Sequence, residues 1–226
     1  MTAPGAVGAV EAPITFSRVI NDDHNAINRY AGRLKRARTA SDRARLLREV
    51  TWRLVRHDVS EDLVMRPAFV EHLGAEGQQM AEHDRTEHER AKSQLLALAD
   101  VPFESADFDV VLDRLFADLL EHMRVESGEQ IPSLERLLDP LESQRLGREY
   151  MKSQVLTPEL EWPASRISPS PSPSPGGIKR RRVWVDIDDY ARSDLARFRD
   201  IYAQLTDEQT EMGVKLYYRQ HVHGKL

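Results

Sequence analysis

The feature that most restricts this 226-residue chain is a set of four apolar stripes at helical spacing, each interrupted by ionisable residues. The first runs Ile20, His24, Ile27, Ala31, Leu34, and the second Leu47, Val50, Leu54, His57, Glu61, Val64, Ala68. The third is Met80, Asp84, His88, Ala91, Leu95, Leu98, and the fourth Val111, Leu115, Leu119, His122, Glu126. Steps alternating between three and four residues trace one face of an α-helix, so these histidines and carboxylates occupy faces that should be dry. Residues four apart sit one turn above each other and reach a common point, as His57 with Glu61, Asp84 with His88 and His122 with Glu126 would. Burying an imidazole and a carboxylate without partners costs on the order of several kcal/mol. A single such histidine is usually a hydrogen-bonded core residue. Four in register require a shared explanation.

Four consecutive amphipathic helices of this kind predict an all-α, up-down four-helix bundle whose stripes face one central axis. His24, His57, Glu61, Asp84, His88, His122 and Glu126 would then surround a common point. Seven nitrogen and oxygen ligands exceed what one tetrahedral zinc takes and suit two metals bridged by carboxylates. Hard carboxylates with imidazoles favour iron or manganese, with zinc as an alternative. The chain has no cysteine, which excludes disulfides, thiolate metal sites and thiol catalysis. Three readings of Asp84 stand open: a ligand, a partner that orients His88, or a residue at a helix start.

Ser17 is the expected N-cap of the first helix, and Ser41 that of the second, which Pro67 ends or kinks. A short helical piece then stops at Gly74, the third helix follows, and Ser105 or Asp107 opens the fourth. Pro132 and Ser133 start a fifth, packing helix through Leu137, Leu138, Leu141 and Leu146 to Met151. The domain reading is a flexible N-terminus over 1–16, a metal-binding bundle over 17–152, a Pro/Ser-rich linker over 153–177 and a small helical extension over 178–226. The extension carries the stripe Ala191, Leu195, Phe198, Tyr202, Leu205 and a capping-box pattern, Thr206-x-x-Gln209.

The spaced pattern of His24, His57-x-x-x-Glu61, His88 and His122-x-x-x-Glu126 resembles the hemerythrin-like, or HHE, cation-binding family over roughly residues 17–152. That resemblance implies a hemerythrin-like bundle around a non-haem di-iron centre. It implies His24 and His57 on one iron, His88 and His122 on the other, and Glu61 and Glu126 as bridges. The chain departs from the oxygen-carrying members in having Asp84-x-x-x-His88 where they have His-x-x-x-His. It also has His122-x-x-x-Glu126 where they have His-x-x-x-x-Asp. One imidazole fewer, and one carboxylate more if Asp84 is a ligand, favours the ferric state, so dedicated oxygen carriage is not expected. The expected function is a protein that holds two iron ions (Fe2+/Fe3+) and meets oxygen, peroxide or nitric oxide in sensing, scavenging or iron binding. The alternatives are a di-iron oxidase or peroxide-consuming enzyme on the same site, and a metal-free helical interaction scaffold.

Other motifs carry less. His83 is turned away from the His88 face, His72 reads as packed or solvated, and His221-x-His223 reads as a frayed polar end. Asp186, Asp188 and Asp189 lack the glycine and closing glutamate of a calcium loop. The basic run 179–182 reads as a solvated linker end, with nuclear import as its alternative, and the Ser-Pro run 168–175 is a candidate for phosphorylation. A net charge of −5 disfavours a nucleic-acid partner. No apolar run approaches the roughly 20 residues that span a bilayer. The expected location is cytoplasmic, with the nucleus as alternative, and the extension is a candidate for docking back on the bundle or for recruiting a protein partner. Phosphate-binding glycine loops and serine-nucleophile elbows are missing, which leaves nucleotide-dependent and hydrolytic chemistry unsupported.

Overall fold

The computed structural model describes residues 14–157 and 196–222. The Ser-Pro run, the basic run 179–182, the aspartates at 186, 188 and 189, and His223 lie outside the described residues, as do Ala191 and Leu195. Among the described residues the elements are α1 (Phe16–Arg36), α2 (Ala40–Ser60), α3 (Arg66–Ala99), α4 (Ala106–Val125), α5 (Ile131–Glu135), α6 (Pro140–Ser153), α7 (Ala196–Ala203) and α8 (Asp207–Tyr217), with no strand. None is long and apolar enough to cross a membrane.

Cross-contacts show how the helices run. Arg56 meets Asp23 and Arg53 covers the Tyr30 ring, so α1 and α2 are antiparallel. Asp58 meets His88 while Arg66 meets Asp84, which sets the C-terminal part of α3 against α2 in the same sense. Gln94 bonds Asp118 near one end of the α3–α4 pair and His88 meets His122 near the other. Lys35–Asp113 and His24–Ser127 close the ring between α1 and α4. Every neighbour is antiparallel, as an up-down four-helix bundle requires. The predicted stripes face inward, and their apolar members divide into two clusters. One holds Ile27, Leu34, Leu47, Leu95, Phe108 and Leu115, the other Phe16, Ile20, Met65, Phe69, Ile131 and Tyr150. The polar positions of the stripes fall between them.

The element ends differ from expectation in instructive ways. Thr15 and Thr39, two residues ahead of Ser17 and Ser41, cap α1 and α2 by accepting from Arg18 N and Asp42 N. Ser105 caps α4. Pro67 does not break the second helix. The chain passes from α2 into α3 through a π-helical turn, Glu61–Met65, in which the Arg66 N–H bonds the Glu61 carbonyl five residues back. A second π turn, Glu126–Gln130, carries α4 into α5 with the Ile131 N–H on the Glu126 carbonyl, so Pro132 does not start a helix of its own. The real reversal is at Gly74, where φ is 59° and ψ −125°, a conformation that needs glycine. Nor is the fifth helix continuous: α5 ends at Glu135, and α6 begins afresh from the N-cap Asp139. Leu137 and Leu141, expected to pack, are exposed, while Leu146, Tyr150 and Met151 are buried. Residues 154–156 continue as a 3-10 turn with Gln154 and Leu156 buried.

The described part of the extension lies on the bundle. Phe198 is buried with Val55, Val59 and Leu156. The Thr206/Gln209 capping box forms at the start of α8. Gly213 permits α8 to approach α6 so closely that a Cβ there would stand 2.3 Å from the Met151 carbonyl oxygen.

Candidate metal centre

Each bundle helix delivers its histidine to one level, and the imidazoles form two pairs. His24 and His57 lie with ring centroids 4.8 Å apart, and His88 and His122 with centroids 4.9 Å apart. All four turn Nε2 inward. His57 Nε2 is 3.0 Å from Glu61 Oε1, and His88 Nε2 is 3.1 Å from Glu61 Oε2, so one carboxylate spans both pairs. Glu126 Oε2 lies 3.2 Å from His24 Nε2 and 3.4 Å from His122 Nε2. Asp84 Oδ1 sits 3.4 Å from His88 Nε2 and 3.5 Å from His122 Nε2. Asp84 is fully buried well inside α3, which removes the helix-start reading.

Two four-residue groups bring one ligand atom each within 4.8 Å of one another: His24, His57, Glu61 and Glu126, and Glu61, Asp84, His88 and His122. Among the described residues, His24 Nε2, His57 Nε2, Asp84 Oδ1 and both carboxylate oxygens of Glu61 and Glu126 have no hydrogen-bond partner in bonding geometry. Buried polar atoms normally find partners, and leaving them without any costs about 1–3 kcal/mol each. The His88 and His122 Nε2 atoms face each other at 2.9 Å. Two nitrogens bound at about 2.1 Å and at right angles around one metal would be roughly 3 Å apart. The donor set thus fits a pair of cations, and nitrogen and oxygen atoms alone favour borderline to hard metals.

Electrostatics point the same way. Burial, together with repulsion from Glu126 and Asp84, pushes the Glu61 carboxyl well above its ordinary range. Burial and Asp84 do the same to Glu126. Burial and the neighbouring imidazoles hold His57 well below the usual histidine range, and burial with His88 pushes His122 down to about 3. Burial opposes it, yet Asp84 and Asp58 hold His88 well above that range. Without metal, protons on Glu61, Glu126 and His88 supply the positive charge that the cluster needs.

The outward ring nitrogens of three of the four histidines are held as well. His24 Nδ1 meets Ser127 Oγ at 2.8 Å, His57 Nδ1 meets the Tyr150 hydroxyl at 2.9 Å and His88 Nδ1 meets Asp58 Oδ1 at 2.5 Å. With Nδ1 protonated toward Ser127 and Tyr150, His24 and His57 present their Nε2 lone pairs inward, and His88 would do so on giving up its Nε2 proton. Tyr150 donates in turn to Asp23 Oδ2 at 3.2 Å. Arg66, only 3% exposed, bonds Asp58 and Asp62 and pairs with Asp84. Sequence reasoning missed these supports. Asp58, Asp62 and Arg66 repeat every four residues along a second face beside the His57 stripe, a signal that could have been read. Asp23, Ser127 and Tyr150 carry no such signal, because only tertiary packing brings them together. His221 was expected in a frayed end, but its side chain is 3% exposed and lies 3.1 Å from Asp23. His83 is exposed, as expected, and His72 is partly buried, 3.8 Å from Glu142.

The model of the hemerythrin HHE cation-binding domain matches residues 15–134, more than half of the chain and all seven inward-facing residues. This chain belongs to the hemerythrin HHE cation-binding family. It is also similar to an uncharacterized hemerythrin-like protein of Schizosaccharomyces pombe, 30% identical over 154 residues, which covers 68% of this chain and 76% of that one. No solved structure matches. The hemerythrin-like domain takes in α1 to α4, both π turns and most of α5. Tyr150 on α6, and the helices α7 and α8, lie beyond the residues the family model matches.

Proposed function

We propose that this hemerythrin-like protein holds a carboxylate-bridged di-iron centre and meets oxygen, peroxide or nitric oxide there. His24 and His57 would bind one metal and His88 and His122 the other, Glu61 and Glu126 would bridge them, and Asp84 would add a ligand on the His88/His122 side. The observation that carries this reading is the convergence of buried nitrogen and oxygen atoms without hydrogen-bond partners between two apolar clusters. When bound, two irons supply redox and Lewis-acid chemistry. The protein's own part is to fix His24, His57 and His88 by their outer nitrogens, to neutralise Asp84 and Asp58 with Arg66, and to keep the site dry.

The size of the adjoining space favours a very small ligand. A cavity of about 20 Å³ borders His88 and His122 and is otherwise walled largely by Leu54, Leu95, Leu119 and Met123. That is room for little more than one water-sized molecule. Pockets for organic ligands are typically about 300–1,000 Å³, so an oxidase acting on an organic substrate fits poorly. The test is stopped-flow absorbance of anaerobically iron(II)-loaded protein mixed with oxygen, hydrogen peroxide or nitric oxide. A spectral change with at least one of them is expected. A spectrum that none of the three alters would contradict the proposal.

A further inference from the structure

The described C-terminal helices reach the back of the metal centre. Beyond α8, a π-helical turn, Tyr218–Val222, places Gln220 on the Arg56 guanidinium and His221 Nε2 3.1 Å from Asp23 Oδ1. Tyr217 donates its hydroxyl to Asp22 at 2.5 Å, and its ring packs on His221 with centroids 4.9 Å apart. Asp23 Oδ1 thereby accepts from Arg56 and lies within ion-pair distance of His221 Nε2, while Oδ2 accepts from Tyr150 and Gln154. The Tyr150 hydroxyl faces His57 Nδ1. A second strand of contacts runs from Arg199 to Asp62 at 3.3 Å, then from Asp62 to Arg66 and on to Asp84.

We infer that this extension completes the outer wall of the metal centre, with His221 acting as a positioning residue for His57 through Asp23 and Tyr150. The inference rests on the reading of His57 as a metal ligand. A tyrosine hydroxyl has one proton. While Asp23 is fixed, that proton goes to Asp23, and the tyrosine oxygen accepts from the His57 Nδ1–H. His57 then keeps its Nε2 lone pair toward the metal. When His221 and Gln220 no longer brace Asp23 and Arg56, the carboxylate can rotate away and the hydroxyl can turn its proton toward His57. That selects the imidazole tautomer that carries hydrogen on Nε2, which cannot ligate. The partner of this segment is therefore the protein's own metal site.

The test is chelator-competition titration of the full-length protein with cobalt(II), in the wild type and in H221F, H221Q and Q220A. Partners that hold a ligating histidine typically contribute about 10–100-fold in metal affinity. H221F is expected to weaken one of the two cobalt sites by about tenfold and to leave the other within about twofold. H221Q, which keeps a donor near Asp23, should recover most of the loss, and Q220A should weaken the same site by a smaller factor. Proton NMR of the cobalt-loaded wild type and H221Q should show a shifted, exchangeable His57 Nδ1–H signal that moves or disappears in H221F. Unchanged affinities in H221F and Q220A would overturn the inference. So would equal weakening of both sites with a lower Tm, the mark of packing loss alone. A wild type that takes up no cobalt would overturn the di-metal reading and this inference together, whereas two cobalt ions held identically by wild type and variants would overturn this inference alone.

Discussion

Tyr150 shares one hydroxyl between His57 and Asp23. Tyr150→Phe keeps the ring against Phe16 but strands the buried His57 N–H and leaves Asp23 Oδ2 with Gln154 alone. The cost should be about 1–3 kcal/mol in the metal-free protein, read from the denaturation midpoint, and about 10–100-fold in metal affinity, read by titration. Arg66 is a harsher case. It is the shared cation of Asp58, Asp62 and Asp84, and removing one member of a buried ion pair typically costs about 3–5 kcal/mol. Arg66→Met should therefore lose most of the native stability of a marginally stable domain, visible as an early, broad thermal transition. At this scale the inward-facing residues were legible because helical periodicity alone puts His24, His57, His88 and His122 on dry faces. Tyr150 was not, because an aromatic residue on a packing helix looks the same in sequence whether or not its hydroxyl reaches a histidine.

The helices carry a repeated device that the linear reading could not decode. Glu61 and Glu126 each open a π turn, and each turn is followed by a proline, Pro67 and Pro132. A proline has no N–H to give to the carbonyl four residues back, and read alone it signals a break. The π turn inserts one extra residue, so the helix continues past the proline while the glutamate stays directed at the site. Such turns are common at functional sites. Gly74 was legible, since a glycine after an apolar run marks a stop, and the structure makes it the point where α3 folds back. Gly74→Ala would meet no atom within 4 Å, so its effect isolates backbone strain at positive φ. We expect a loss of about 1–3 kcal/mol, with the denaturant midpoint lowered and the m-value unchanged.

For the whole molecule, metal binding and folding should be one equilibrium. The metal-free bundle buries three carboxylates and four imidazoles between its two apolar clusters, and a cation bound only by the native state stabilises it by mass action. Free metal at a hundred times Kd adds about 2.7 kcal/mol, or roughly 5–10 °C in Tm for a chain of this size. Chelation should reverse the gain. The bundle and its family were legible from spacing. Docking of the amphipathic extension on the bundle was one of two uses its sequence suggested, but its contacts were not legible, since Gly213, Tyr217 and His221 acquire meaning only against α6 and α1. The scaffold reading makes the opposite forecast for the core: replacing buried polar residues would leave stability unchanged or raise it. The most direct test of the di-metal account is elemental analysis of anaerobically iron-loaded protein, wild type beside His57→Ala. The account predicts two irons per wild-type chain, at least one lost in the variant, and a lower Tm for the loaded variant. A wild type that retains no iron, or a variant that loads and melts like it, would contradict the account.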